Sequence, residues 1–255
     1  MKKTIIILLT LTGVASAADV QYVDFSGEGT VNAGTTIGNI TLSEDMTYGS
    51  PSQWYDQFGT TPSVNITGGN FYAGDYTLSL WVDTNSLSTT GNTLLFAYSG
   101  STSSNAQGYN GIMWNGADQT ITMGRGNFTA NNMNIAWDST NYSTSSALTL
   151  GEGLVNLTFA VSNNGGNHTA DIYINGVKTT TLDAYVAKMN GGGAGTQMKY
   201  HLNTGVDYGT IGLTNEKLTT AEQVIEFASP TVPEPTTATL SLLALAGLAA
   251  RRRRK

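Results

Sequence analysis

Residues 155 to 176 read Val155-Asn156-Leu157-Thr158-Phe159-Ala160-Val161-Ser162, then Asn163-Asn164-Gly165-Gly166-Asn167-His168, then Thr169-Ala170-Asp171-Ile172-Tyr173-Ile174-Asn175-Gly176. Val155, Leu157, Phe159 and Val161 occupy alternate positions, as do Ala170, Ile172 and Ile174. Period two is the signature of a strand with one face turned to a core. The polar, glycine-containing segment between the runs predicts an antiparallel hairpin. Asn175-Gly176 supplies a tight primed turn into Val177–Leu182, so three consecutive strands form a meander.

The same pattern extends outward. Tyr76, Leu78, Leu80 and Val82 alternate with Thr77, Ser79, Trp81 and Asp83, predicting a core strand with one apolar face. Leu94–Ala97 is a second strand, and Gly111–Trp114 with Gln119–Met123 reads as a hairpin about Asn115-Gly116. The stretches Ser99–Asn110 and Asn127–Ser146, and residues 190–195, are polar and too long for tight turns. They are the candidate binding loops. Thr219-Thr220-Ala221-Glu222 has capping-box spacing, and Leu218, Ala221, Val224, Ile225 and Ala228 fall on one helical face, predicting a short amphipathic helix. No internal repeat of fixed period is visible.

Both ends of the chain read as processing signals. Met1-Lys2-Lys3, an apolar run from Ile5 through Val14, and Ala15-Ser16-Ala17 match a secretory signal peptide cleaved after Ala17. At the other end stand Pro233, Glu234 and Pro235, an uncharged Leu- and Ala-rich run from Thr236 to Ala250, and then Arg251, Arg252, Arg253, Arg254 and Lys255. Fifteen helical residues reach only about 22 Å, marginal for a permanent span. The terminal cations favour the cytoplasmic side, which leaves everything before Pro233 outside.

Between these signals the chain carries five basic residues (Arg125, Lys178, Lys188, Lys199, Lys217) against 17 of the 18 acids, a net of 5 − 17 = −12. A domain so poor in cations does not suit nucleic acid, whose phosphates demand clustered Lys and Arg. With no cysteine, disulfides, thiol nucleophiles and thiolate metal sites are excluded, and a core large enough to hold without staples is implied. The 30 glycines, and dense Asn, Ser and Thr, favour short strands and turns over helices.

The tail resembles the PEP-CTERM sorting signal of Gram-negative bacteria, in which Pro-Glu-Pro, a short apolar helix and an Arg-rich end follow in that order. The resemblance implies an exosortase-type processing enzyme, transient membrane insertion, an address in the cell envelope, outer surface or extracellular matrix, and a link to exopolysaccharide. The domain resembles the concanavalin A-like jelly roll in its laminin-G-like (LamG) form. The resemblance rests on Tyr76-Thr77-Leu78-Ser79-Leu80-Trp81-Val82, on Val155–Val161 with Asp171-Ile172-Tyr173-Ile174-Asn175-Gly176-Val177-Lys178, and on Leu218–Val224. It implies an all-β sandwich of two antiparallel sheets with a short C-terminal helix, separate from the apolar sorting helix. Gly153-Leu154-Val155-Asn156 stands where the family often opens its central strand with Trp-His, and Ile211-Gly212-Leu213-Thr214 where an acidic pair is usual. The expected organisation is signal peptide 1–17, jelly-roll domain 18–229 and sorting signal 230–255.

Catalytic chemistry finds little support. Laminarinase-like glycosidases of that fold carry Glu, Asp and Glu on alternate positions of one strand to bring two carboxyls about 5 Å apart, and no such segment is present. Glu216, Glu222 and Glu226 read as a solvated face beside the helix, and His168 and His201 are too few for a transition-metal site. Sugar binding asks only for an aromatic platform with polar groups around it. Tyr109, Asn110, Trp114, Asn115 and Asp118 supply those types at one hairpin, and Trp137, Asp138, Asn141 and Tyr142 supply them in the next loop. Packing of Trp114 and Trp137 in the core is the competing reading. No cofactor is called for; calcium is left open, with Asp118 or Asp138 and loop carbonyls as its ligands. The sequence thus leads to a non-catalytic, lectin-like surface protein that binds polysaccharide or another glycan. The alternative is a structural or adhesive matrix protein, and a glycoside hydrolase is the least favoured.

Overall fold

The computed structural model describes residues 28–51, 75–99, 109–129, 134–164, 167–185, 199–214 and 216–229. The expected signal peptide (1–17), the sorting tail, residues 190–195 and most of the Ser99–Asn110 stretch lie outside them.

Most of the described residues are strand. In chain order they are β1 (Gly29–Val31), β2 (Thr36–Ile37), β3 (Ile40–Thr41), β4 (Met46–Tyr48), β5 (Tyr76–Asp83), β6 (Asn92–Ser99), β7 (Tyr109–Asn115), β8 (Thr120–Thr129), β9 (Asn134–Thr144), β10 (Leu154–Asn164), β11 (Asn167–Ile174), β12 (Val177–Tyr185), β13 (Lys199–His201) and β14 (Tyr208–Thr214), closed by α1 (Ala221–Ala228). Two five-stranded antiparallel sheets dominate. Sheet I has the order β12-β11-β10-β5-β14 and sheet II the order β13-β6-β7-β8-β9, giving an all-β antiparallel sandwich with one short helix.

The meander β10-β11-β12 forms sheet I's leading half, with Phe159 opposite Ile172 and Ile174 opposite Val177. Its second turn is of the primed kind, because Asn175 (φ 51°) and Gly176 (φ 79°) both take left-handed backbone. Leu78, Leu80, Leu157, Phe159 and Ile172 of sheet I meet Phe96, Ile112, Trp114, Ile121 and Met123 of sheet II in one continuous core. Each such side chain contributes about 1.5–3 kcal/mol by leaving water. The Tyr208 hydroxyl crosses between the sheets, donating to Leu95 O at 2.8 Å and accepting from Asn203 N at 3.2 Å. Burial pushes this phenol well above its usual pKa.

Three local expectations are corrected. The alternation in β5 predicts one apolar face turned inward, yet on the other face Thr77, Ser79 and Trp81 are as buried as Leu78 and Leu80. The second side is buried because α1 and β1–β4 cover it. Ile40, Leu42, Met46, Trp81 and Ala228 cluster there, as do Ala160, Tyr173 and Val224. Its polar groups satisfy one another: Asn156 Nδ2 donates to Ser79 Oγ at 2.8 Å and Thr158 Oγ1 to Asn156 Oδ1 at 2.9 Å. Second, the capping box falls one residue later than its spacing suggests. Gln223 N donates to Thr220 Oγ1, the Gln223 side chain answers the Thr220 N–H, and Ala221 is exposed. Third, much of the expected loop Asn127–Ser146 is strand, since β9 pairs with β8.

Candidate glycan-binding face

The two sheets differ in what lies on their outer sides. Sheet I is roofed by α1 and β1–β4, whereas on the outer side of sheet II Trp137, from the edge strand β9, packs against the buried Leu94, Ala97 and Met113.

The β8–β9 pairing explains how Trp137 arrives there. Thr122 pairs with Thr144 and Gly124 with Tyr142, but the next pair is Gly126 with Trp137. Over that step β8 advances two residues (126 − 124) and β9 five (142 − 137), so 138–141 bulge from the ladder. Glycine is required beneath the bulge. A Cβ on Gly124 would run into the Asn141 carbonyl and the Tyr142 backbone, so a side chain there would push β9 off. Gly111, which pairs with Gly124, leaves that one row of the ladder between Ala97 and Tyr142 without side chains.

Trp137 and Tyr142 consequently stand together, ring centroids 5.8 Å apart and tilted by 34°. They share the side that bears Thr122 and Thr144, whose hydroxyls bond at 2.9 Å, and lie opposite to Ile121 and Met123. Trp137 is half-buried and anchored by its aliphatic neighbours, while Tyr142 is 42% exposed. Asn141 is half-buried beside them. The result is a braced aromatic pair with the Thr122 and Thr144 hydroxyls on the same side, chemistry suited to the apolar face and rim hydroxyls of a sugar.

The other candidate group is dispersed. Trp114, 7% exposed, and Asn110, 1% exposed, sit on the side of β7 that faces the core, as Ile112 does. Asn115 and Asp118 hold the β7–β8 turn: Asn115 Oδ1 accepts from Ala117 N at 3.0 Å and Asp118 N at 3.2 Å, and its Nδ2 donates to Asp118 Oδ2 at 3.0 Å. Tyr109 and Asp138 lie in β7 and β9, but their side chains are outside the described set. Among the described residues no three Asp, Glu or His side chains gather as a metal site. Glu216, Glu222 and Glu226 are exposed at the helix, and His168 is buried at the start of β11. The contributions of Gly111, Gly124, Thr122 and Thr144 had no sequence-level signal beyond Gly124-Arg125-Gly126, a glycine pair inside a strand.

Residues 231–255 match the model of the PEP-CTERM protein-sorting motif, which indicates export and cell-surface sorting in bacteria. No curated protein matches the chain. Among solved structures, it is similar to the leech intramolecular trans-sialidase (14% identity, TM-score 0.45, 72% of this chain and 27% of that one). It is also similar to the CBM40 of Ruminococcus gnavus IT-sialidase bound to α2,3-sialyllactose (14%, 0.45, 71% and 95%). A third is the heptameric SAP-like pentraxin of Limulus polyphemus (13%, 0.36, 64% and 73%). The chain thus spans about a quarter of the leech enzyme.

Proposed function

We propose that this chain is an exported, exosortase-sorted, non-catalytic glycan-binding protein of the cell surface, and that Trp137 and Tyr142 form its binding platform with Asn141, Thr122 and Thr144 at the rim. The single observation that carries the reading is the braced, part-exposed aromatic pair on the outer side of sheet II. The strand composition and the sandwich are the basis for reading the domain, over 18–229, as a laminin-G-like jelly roll. The sorting motif adds a reason to meet polysaccharide, because an envelope-sorted protein of a Gram-negative bacterium resides among it.

Glycan-array and polysaccharide binding by the secreted protein tests this, with Trp137→Ala and Tyr142→Ala as variants. Each truncation removes a contact of hot-spot type worth about 1–2 kcal/mol, roughly a five- to thirtyfold loss of affinity. Flat arrays with and without calcium would sink the reading in favour of a structural matrix protein. Sugar release from the polysaccharides would replace it with an enzyme.

A further inference from the structure

The sorting motif hangs close to a fixed point. Trp81 Nε1 donates to Ala228 O at 2.8 Å, the Ser229 hydroxyl donates to Thr41 O at 2.9 Å, and Ser43 N donates to Ser229 Oγ at 3.1 Å. With Val224 and Ala228 buried, α1 is fastened to the outer layer of sheet I up to Ser229. Pro233 follows four residues later (233 − 229) and Thr236, where the uncharged stretch begins, seven later (236 − 229). Fully extended, these spans are at most about 14 Å and about 25 Å. A protein catalyst that acts at Pro233 is larger than the first span, so it must touch the surface around Ser229. With the apolar stretch in a bilayer, the second span sets α1 towards the membrane.

The chemistry of that surface says what it accepts. Glu222 and Glu226 are exposed one helical turn apart, and Asp45 is exposed two residues beyond Ser43, with Glu44 half-exposed between them. Carboxylates exposed at these positions are repelled by anionic headgroups and attracted to a cationic protein surface. We propose that the enzyme which processes the sorting motif also docks on the folded domain, on the acidic face made by α1 and residues 43–45. Docking there leaves the Trp137–Tyr142 side, on the opposite sheet, turned away from the membrane.

Photo-cross-linking of the full chain in cells that carry its processing enzyme tests this, with benzoylphenylalanine in place of Glu222, Glu226 or Thr144. Adducts with the enzyme are expected from the two helix positions and not from Thr144. Adducts with lipid alone, equal yields from Thr144, or no adduct while the tail is still processed would each overturn the proposal. The double variant Glu222→Lys/Glu226→Lys should keep the thermal midpoint of the exported domain and slow processing roughly three- to tenfold, the scale of rim-charge effects on association. A Gly-Ser insertion of about twelve residues after Ser229 should relieve that slowing, because the tether then lets the enzyme act without docking. Unchanged processing of the charge-reversed chain would also overturn it.

Discussion

Trp114 and Trp137 are chemically the same residue in opposite situations. Trp114 fills the core beside Ile112 and Ile121, and truncating it to Ala should cost about 3–5 kcal/mol, read as a fall in the urea midpoint. Trp137→Ala should change the midpoint far less while removing glycan affinity; the reverse ranking would exchange their roles. The sequence could not separate them, because Gly111-Ile112-Met113-Trp114 is apolar at every position and shows no parity, and Trp137 belongs to a bulge whose register depends on Gly124. Asn175 was legible, since Asn-Gly between alternating runs specifies its turn. Its second role was not. The Asn175 side chain accepts from Asn156 N at 2.9 Å, so Asn175→Ala both forces φ 51° on alanine and strips a buried N–H of its partner. About 2–4 kcal/mol should be lost, against a smaller loss for Asn175→Gly, which removes only the hydrogen bond.

At the scale of elements, period two identified β5, β10 and β11 because each sends apolar residues to one core. It could not show that Thr77, Ser79 and Trp81 are also buried, because the roof is made by segments remote in sequence. Asp171 ties these layers together. Its carboxylate contacts Lys178 Nζ at 2.7 Å and Lys217 Nζ at 3.0 Å and accepts from Thr181 Oγ1 at 2.7 Å, linking β11, β12 and the segment that leads into α1. Burial works against its ionisation, but Lys178, Thr181 and Lys217 together hold its pKa below the usual value. A carboxyl depressed on folding gives stability that is full above its unfolded pKa, about 3.9, and is lost as pH falls through the lower folded value. Thermal midpoints from pH 7 to pH 2 should therefore fall at the acid end, and Asp171→Asn should lower the neutral midpoint and flatten that fall. An unchanged acid limb in the variant would assign the dependence to other carboxylates.

For the whole molecule, net charge bears on which polysaccharide the proposed platform would take. Residues 18–229 carry a net charge of −12, and Asp171 already engages two of their five cations, Lys178 and Lys217. Long-range repulsion of that size disfavours a polyanionic chain at low ionic strength, since at 0.01 M salt the screening length is about 30 Å and at 1 M about 3 Å. The platform itself is uncharged: an indole, a phenol, an amide and hydroxyls. Stacking on such a surface is insensitive to salt, so affinity for a neutral polysaccharide should stay level as NaCl rises from about 0.02 M to 0.5 M. An anionic polysaccharide with the same backbone should bind more weakly at the low end and improve as salt screens the repulsion. Calorimetric titration of a neutral and a carboxylated form of one polymer separates the cases. A carboxylated polymer that binds more tightly at low salt and weakens as salt rises would mean that a local cation, not the aromatic pair, governs recognition.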